Sequence, residues 1–274
     1  MKIKINDISL NVSFNKNKLK NKTPILFLHG FTGSLNDWLF IKKNLPENFT
    51  PILIDLIGHG KSSSPKNIEK YTFENQVKLI RELLNTLNLN KIILVGYSMG
   101  GRLALSFAEK YPNHVEALVL ISTAFGIEKK SDREERVKND KKLSDMIKNS
   151  KIEEFIEYWI NIPLFQTYNN LEEKKIKKLF QEKIKNNTKT GLQNSLLGFS
   201  TGLMQNYYPR LEGLKIKTLL LCGEFDKKFI TLNQKAVKKL PNAKLEIIKA
   251  AGHNLFFEKP KDFLKLLKLF LKNI

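Results

Sequence analysis

A serine, an aspartate and a histidine of this chain have the side-chain types that proton transfer or nucleophilic attack requires: Ser98, Asp226 and His253. A serine hydroxyl is a weak base and a weak nucleophile until an imidazole accepts its proton and a carboxylate orients that imidazole. Each of these residues alone is weak support for a site. Together they indicate a catalytic site strongly, because the serine lies in a glycine-rich turn and the aspartate and the histidine follow the last two predicted strands.

The serine lies in the stretch IILVGYSMGGRLAL, at the point where an apolar run gives way to a helical pattern. The run before Ser98 is typical of a strand buried on both faces. Glycines at positions 96, 100 and 101 remove side chains that would collide in an abrupt strand-to-helix turn. Because GxSxG also occurs by chance and can mark a simple turn, the rest of the chain has to decide between the two interpretations.

The base must come from one of four histidines. His253, in AAGHNLFFEKP, follows the last predicted strand, so we expect it at the same sheet end as the serine. His29 and His59 lie in glycine-flanked turns and are predicted to have structural roles near the oxyanion region. His114, between a helix and a strand, is predicted to be exposed.

Negative charge that develops on a substrate oxygen needs hydrogen-bond donors aimed at it. The N–H of Met99, at the start of the predicted helix, is one candidate. The second is the N–H of Phe31, in the HGFTG loop after the first core strand. The alternative for that loop is a flexible turn.

The elements that must position these residues alternate between strands and helices. Alternation of this kind predicts a doubly wound, mostly parallel sheet, and chemistry in such sheets gathers beyond the carboxyl ends of the strands. The strand patterns begin with an opening hairpin and continue at residues 25–28, 52–55, 92–95 and 115–123 and in IKTLLLCGEFD and AKLEIIKAAGH; helical patterns cover 73–87 and the final KPKDFLKLLKLFLKNI.

Residues 126–213 interrupt the alternation with charged, helix-like sequence and no strand pattern. The segment is too long for a loop and too periodic for disorder. We call it the cap, and predict that it covers the active end of a core formed by residues 1–125 and 214–274. Length alone is as compatible with two domains as with one domain and an insertion.

The formal net charge of +20 raises the question of nucleic-acid binding. The chain holds 42 lysines and only five arginines, and the lysines are scattered over predicted helix surfaces. Nucleic-acid readers cluster basic residues on one face with aromatic residues among them. We therefore expect no nucleic-acid partner, and a positive field that helps to capture a small anionic carboxylate substrate.

A single cysteine, Cys222, excludes a disulfide framework and fits a reducing compartment. The alternating start MKIKINDISLNVSF lacks the apolar core of a signal peptide, and no apolar run is long enough for a membrane span. We expect a cytoplasmic protein with no membrane partner. The oligomeric state stays open.

The motifs together resemble the α/β-hydrolase superfamily over the whole chain: LHGF, DLIGHGKS, GYSMGG, GEFD and AGH stand in order at suitable intervals. The order serine, aspartate, histidine is that of this superfamily. The resemblance implies an α/β-hydrolase fold with an inserted helical cap. More narrowly, the chain resembles the 2-succinyl-6-hydroxy-2,4-cyclohexadiene-1-carboxylate synthases of menaquinone or phylloquinone biosynthesis, through GYSMGGRLAL, RVKND, YWINIPLF, GFSTGLMQNYYPRL, CGEFDKKF and AGHNLFFEKP.

The narrower resemblance implies a carbon–oxygen lyase that eliminates pyruvate from 2-succinyl-5-enolpyruvyl-6-hydroxy-3-cyclohexene-1-carboxylate, without a metal, a cofactor or an acyl-enzyme. Ser98, backed by His253 and Asp226, would then act as the base. A serine carboxylesterase or a C–C bond hydrolase that works by acyl transfer is the alternative. A non-catalytic receptor would show a broken triad, and a dehalogenase would have aspartate in place of the serine.

Arg102 and Arg136 are candidates for binding substrate carboxylates, because guanidinium groups fit carboxylates better than lysine does. Arg102 could instead pair with an acid on a helix surface, and Arg136 could belong to a solvated charged helix. Trp159 is a candidate pocket residue, with a place in the cap core as its alternative. The family carries a further cap arginine, for which EKIKNN offers only Lys183 or Lys185.

Overall fold

The centre of the fold is a sheet of eight strands in the order β1-β2-β4-β3-β5-β6-β7-β8, in a computed structural model that describes residues 1–274. Strands β3 to β8 pair in parallel, whereas β1 and β2 form a hairpin and β2 pairs antiparallel with β4. The predicted doubly wound, mostly parallel sheet is confirmed. The strands are β1 (Lys2–Ile5), β2 (Ile8–Ser13), β3 (Thr23–Leu28), β4 (Phe49–Ile54), β5 (Ile92–Tyr97), β6 (Val115–Ile121), β7 (Lys217–Gly223) and β8 (Ala243–Ile248).

Ten α-helices and five short 3₁₀ segments connect the strands. The helical pattern predicted over 73–87 is α2, which begins after the Thr72 side chain caps its first turn. The helices are α1 (Lys16–Leu19), α2 (Phe73–Thr86), α3 (Met99–Lys110), α4 (Lys130–Asn149), α5 (Ile152–Ile160), α6 (Glu173–Lys185), α7 (Lys189–Gly198), α8 (Lys227–Val237), α9 (Leu255–Glu258) and α10 (Pro260–Leu271). The 3₁₀ segments are Leu35–Lys43, Ile68–Tyr71, Pro112–His114, Pro163–Asn170 and Tyr208–Gly213.

The sheet separates two apolar cores because successive side chains of a strand point to opposite faces. In β3, Leu26 and Leu28 pack with α2 and α3 on one face. Ile25 and Phe27 pack on the other face, with Trp38 and α10. Burial on both faces explains why the central strands read as continuous apolar runs in the sequence.

The strand order places the carboxyl ends of β3 and β5 at a reversal of the sheet. From β3 the chain moves outward to β4 and then returns to pair β5 with the other edge of β3. The loops that follow two strands at such a reversal diverge and leave a crevice between them. The crevice here lies between the loop after Leu28 and the turn after Tyr97.

The cap segment contains helices α4 to α7 and no named strand. Its apolar side chains form a third, smaller core, against which Phe31 and Phe257 also pack. Its separation from residues 1–125 and 214–274 as a unit of its own stays a prediction. No helix of the chain has both the length and the apolar character needed to cross a membrane.

We predict that Phe263→Ala lowers the free energy of unfolding by about 3–5 kcal/mol, because a large buried side chain leaves a cavity in a close-packed core. Phe263 is fully buried, and its ring lies 6.1 Å from that of Trp38. Urea unfolding measures the change. Leu269→Ala in the same helix is the control, since that side chain is 54% exposed, and an equal loss in both variants would contradict this assignment of the core.

Candidate active site

Ser98 lies at a strained turn between β5 and α3. Its φ of 49° and ψ of −104° fall outside the regions that non-glycine residues prefer, at a cost on the order of 1–3 kcal/mol. A Cβ atom on Gly96 would collide with the backbone of Gly100, and one on Gly100 would collide with the carbonyl oxygen of Leu28. Helix α3 can approach β3 and β5 this closely only with glycine at both positions.

The three residues predicted to act together are within hydrogen-bond distance. His253 Nε2 lies 3.0 Å from Ser98 Oγ, and His253 Nδ1 lies 2.9 Å from Asp226 Oδ2. A carboxylate only accepts, so Nδ1–H donates to Asp226 and Nε2 is left to accept the serine proton. His253 and Asp226 are 1% and 5% exposed, whereas the serine is only half-buried. His253 and Asp226 are therefore shielded from solvent, whereas Ser98 lines the cavity.

Each member of this triad follows a strand of the sheet. Ser98 follows β5, Asp226 comes after β7 at the start of α8, and His253 comes after β8 and before α9. The carboxyl ends of parallel strands meet at one edge, which is why residues 155 positions apart in sequence are in contact.

The two amides predicted to stabilise an oxyanion belong to the residue after the serine and to the loop after β3. Met99 opens α3, so its N–H is one of the first-turn donors that lack a partner within a helix. Leu28 pairs with Gly96 across the sheet, which brings the loop carrying Phe31 next to the serine turn. The Phe31 N–H donates to no other backbone group. Both amides belong to residues that line the cavity at the serine.

The other histidines have structural positions. His29 is fully buried; its Nδ1–H donates to the Gly30 oxygen and its Nε2 accepts from the Leu56 N–H. His59 is also buried, with Nδ1 at 3.1 Å from the Ile57 oxygen. His114 is partly rather than fully exposed, since its ring contacts the Asn90 oxygen in the turn before β5.

A cavity of about 970 Å³ lies between the serine and the cap. Six basic and five acidic residues line it: Arg102, Lys129, Arg136, Lys227, Lys228 and Lys235, with Glu128, Asp132, Glu135, Asp140 and Asp226. Trp159 and Phe165 contribute aromatic surface from the cap side. No group of three or more His, Cys, Asp or Glu side chains is arranged to hold a metal ion.

Arg102 is not a surface residue paired with an acid. Its Nη1 donates to the Phe199 oxygen at 2.6 Å, and its guanidinium lies over the Phe199 ring at 5.0 Å. Burial, with a further contribution from Arg136, lowers its pKa to about 9. It therefore stays charged at neutral pH without a carboxylate partner, which suits an anionic ligand.

Arg136 is held by a buried acid. Both oxygens of Asp140 accept from Arg136 Nε at 2.9 Å, and one of them also accepts from Ser200 Oγ at 2.6 Å. The bond uses Nε alone, so the two terminal nitrogens of the guanidinium remain as donors. The carboxylate thus fixes the direction of a side chain that lines the cavity.

Trp159 belongs to both of the environments considered from the sequence. It packs at the edge of the cap core with ring contacts to Phe31 and Phe165, and it also lines the cavity. Its indole nitrogen is buried without a hydrogen-bond partner. Phe165 lies 5.8 Å from the His253 ring, so the cap aromatics reach the triad.

Neither of the two cap lysines considered for substrate binding lines the cavity. Lys183 is 9% exposed and is directed at Thr32, on the loop after β3. Lys185 is exposed on the opposite side of α6.

Sequence reasoning missed Lys228, which lines the cavity from the first turn of α8. Burial and the charge of Arg136 lower its pKa, as expected of cations that face one another across a cavity. It also missed Tyr168, whose hydroxyl accepts from Asn254 Nδ2 at 2.9 Å, next to His253. The position of Lys228 two residues after Asp226 in GEFDKK was the only available signal, whereas Tyr168 gave none because its partner is distant in sequence.

Comparison with known proteins gives a consistent result. A family model described as alpha/beta hydrolase fold matches residues 23–260. A Bacillus subtilis protein assigned as a 2-succinyl-6-hydroxy-2,4-cyclohexadiene-1-carboxylate synthase is 42% identical over 91% of this chain and 90% of its own. A Klebsiella pneumoniae enzyme of the same name is 28% identical over 86% and 88%. The solved structure of MenH from Staphylococcus aureus superposes with a TM-score of 0.90 at 30% identity, covering 96% of this chain and 98% of the other.

We predict that stability falls as the pH is lowered from about 6.5 toward 4. Burial lowers the pKa of His29 to about 4 and, with the nearby His29 ring, that of His59 to about 3. The unfolded chain binds protons at these imidazoles below about pH 6.5, and the folded chain does not, so protons favour unfolding throughout this window.

Urea unfolding at pH 7.5 and pH 5.0 tests this dependence. His59→Gln should show a smaller loss between the two pH values than the wild type, and His114→Gln should keep the full loss. Equal pH dependence in the wild type and the His59 variant would contradict the assignment.

Proposed function

Because this chain belongs to the α/β-hydrolase fold family, and its relatives over nearly the full length are 2-succinyl-6-hydroxy-2,4-cyclohexadiene-1-carboxylate synthases, we propose that it is the lyase of that step of menaquinone biosynthesis. It eliminates pyruvate from 2-succinyl-5-enolpyruvyl-6-hydroxy-3-cyclohexene-1-carboxylate. The observation that supports this best is the intact triad opening into a cavity that holds an unpaired arginine.

The reaction is a 1,4-elimination in which the ring loses a proton from C2 and enolpyruvate from C5. The C2–H bond lies next to the succinyl ketone, so its electrons can enter an enolate when a base removes the proton. The C2=C3 bond then forms, the C3=C4 double bond moves to C4=C5, and the C5–O bond breaks. The leaving enolpyruvate takes up a proton and becomes pyruvate, and the ring is left as the 2,4-diene.

In this proposal Ser98 Oγ receives the C2 proton while its own proton passes to His253 Nε2. Asp226 accepts from Nδ1–H, which holds the ring in the correct tautomer and stabilises the imidazolium that forms. The half-buried position of Ser98 fits this role, because its hydroxyl must approach the C2–H bond of the substrate while His253 and Asp226 stay shielded from water.

The enolate oxygen requires donors placed in advance of the reaction. We assign this role to the N–H groups of Phe31, in the loop after β3, and of Met99, the residue after the serine. Backbone donors fixed in a cavity stabilise developing charge without the reorganisation that water would need.

The substrate carries three carboxylates, and the cavity offers cations to match. Arg102 is the primary candidate because it has no acidic partner of its own. Arg136 can donate from its terminal nitrogens, and Trp159 provides an apolar wall and an unpartnered N–H. All three are proposed substrate-binding residues.

We also propose that the protein works in the cytoplasm and binds no nucleic acid. Its only cysteine, Cys222, is fully buried, and burial raises the pKa of the thiol. A lysine-rich positive surface with few arginines suits the capture of a small carboxylate.

We predict that Ser98→Ala and His253→Ala each lower kcat/KM for pyruvate elimination by about 10³-fold or more, and that the double variant is no worse than either, since triad residues act as a unit. Diene absorbance and coupled detection of pyruvate measure the rate. His114→Gln is the control and should keep wild-type activity.

If the wild-type protein forms pyruvate only at the uncatalysed rate, the lyase function is wrong while the fold stands. Rapid labelling of Ser98 by an aryl ester, with a burst of phenol, would instead favour acyl transfer. Slow ester turnover without a burst is compatible with the lyase.

We predict that Arg102→Met raises KM about 10- to 100-fold and lowers kcat much less, because a hydrogen bond to a charged group contributes about 1.5–3 kcal/mol. Steady-state kinetics with the cyclohexene substrate measure both constants. Arg210→Met is the matched control, as Arg210 pairs with Glu109 on the surface. A fall in kcat with KM unchanged would contradict a binding role.

A further inference from the structure

Residues at the end of the cap helix α6 form hydrogen bonds with the loop that carries Phe31. Lys183 Nζ donates to Thr32 Oγ1 at 2.9 Å and lies 3.4 Å from the Thr32 carbonyl oxygen. Asn187 Nδ2 donates to the same carbonyl oxygen at 2.9 Å and to the Lys183 oxygen at 2.8 Å. These contacts join segments more than 150 residues apart at the residue next to a proposed oxyanion donor.

Thr32 needs such support because its backbone is strained. Its φ is 61°, in the left-handed region that β-branched residues rarely occupy. Strained residues of this kind persist only where their surroundings hold them. Thr32 is 1% exposed, and its polar atoms are satisfied from the cap.

Burial of the Lys183 ammonium group costs free energy, so packing alone does not account for a lysine at this position. It is 9% exposed, and no carboxylate lies within ion-pair distance. Desolvation lowers its pKa, an effect that the half-buried Asp37 opposes. The other titratable groups that sense its charge are His29 and His59, which are neutral at pH 7. Because Lys183 does not line the cavity, contact with substrate does not explain it.

We infer that Lys183 and Asn187 are positioning residues that lock Thr32 and thereby aim the Phe31 N–H at the oxyanion, so that the cap completes the oxyanion hole. This inference rests on the role that the proposed function gives to Phe31. The same bonds make the geometry of the catalytic loop depend on the docking of α6.

The test compares Lys183→Met with Lys185→Met, a matched pair on one helix of which only the first removes a contact with Thr32. We expect Lys183→Met to lower kcat about 10- to 100-fold, somewhat less than the loss of an oxyanion donor itself, with KM within about twofold of wild type. Lys185→Met should leave both constants unchanged. A rise in KM with kcat unchanged would make Lys183 a substrate ligand and overturn the inference, as would wild-type kinetics.

Thr32→Val supplies a second test if the lysine variant fails to fold. It keeps the shape of the side chain and removes the Oγ1 acceptor, so kcat should fall with KM unchanged. Where both variants fold, the double variant should be no slower than Lys183→Met alone. Additive losses, or a Thr32→Val enzyme with wild-type kcat, would contradict the inference.

Amide hydrogen exchange separates this inference from the proposed function. Exchange in residues 30–34 should become faster in Lys183→Met and stay unchanged in Lys185→Met, whatever reaction the protein catalyses. Unchanged exchange in both variants would overturn the positioning role. A wild-type protein that does not eliminate pyruvate would overturn the lyase function alone.

Discussion

The strained turn at Ser98 is the constraint on which the active end of this molecule depends. The positive φ at Ser98 ends β5 and starts α3 at once, so the Met99 N–H belongs to the first turn of the helix, where amides lack partners within the helix. The turn is possible because Gly96 and Gly100 let the helix contact the strands. The turn thereby fixes Ser98 Oγ at hydrogen-bond distance from His253, which in turn bonds to Asp226. A relaxed turn would displace the Ser98 hydroxyl and the Met99 N–H together, the two groups to which we assign proton abstraction and oxyanion binding.

Both the core and the cap contribute residues to the cavity. The core supplies the triad and Arg102, and the cap supplies Arg136 and the aromatic wall. Arg102 has no acidic partner, whereas Arg136 is held by Asp140 through Nε and keeps its terminal nitrogens free of other side-chain partners. Under the proposed function, these two arginines are the groups that would bind the carboxylates of the substrate.

The cap also reaches the catalytic loops directly. Lys183 and Asn187 contact the loop after β3, and Tyr168 contacts the residue after His253. Both contacts lie one residue away from a group assigned to the chemistry. The cap is thus hydrogen-bonded to the two loops that carry Phe31 and His253, in addition to lining the cavity.

The sequence by itself determined the alternation of strands and helices, the triad, and the glycines of the serine turn. Apolar periodicity and glycine spacing are local signals, and the order serine, aspartate, histidine can be read along the chain, so none of these features required knowledge of tertiary contacts. It left Lys183 and Lys185 undecided, took His114 as exposed, and gave no sign of Tyr168. Only the tertiary structure decided these points, because burial and partnership of a polar side chain depend on which remote segment packs against it. Lys183 and Lys185 have the same residue type and the same helix, and the packing of α6 against Thr32 buries one and exposes the other.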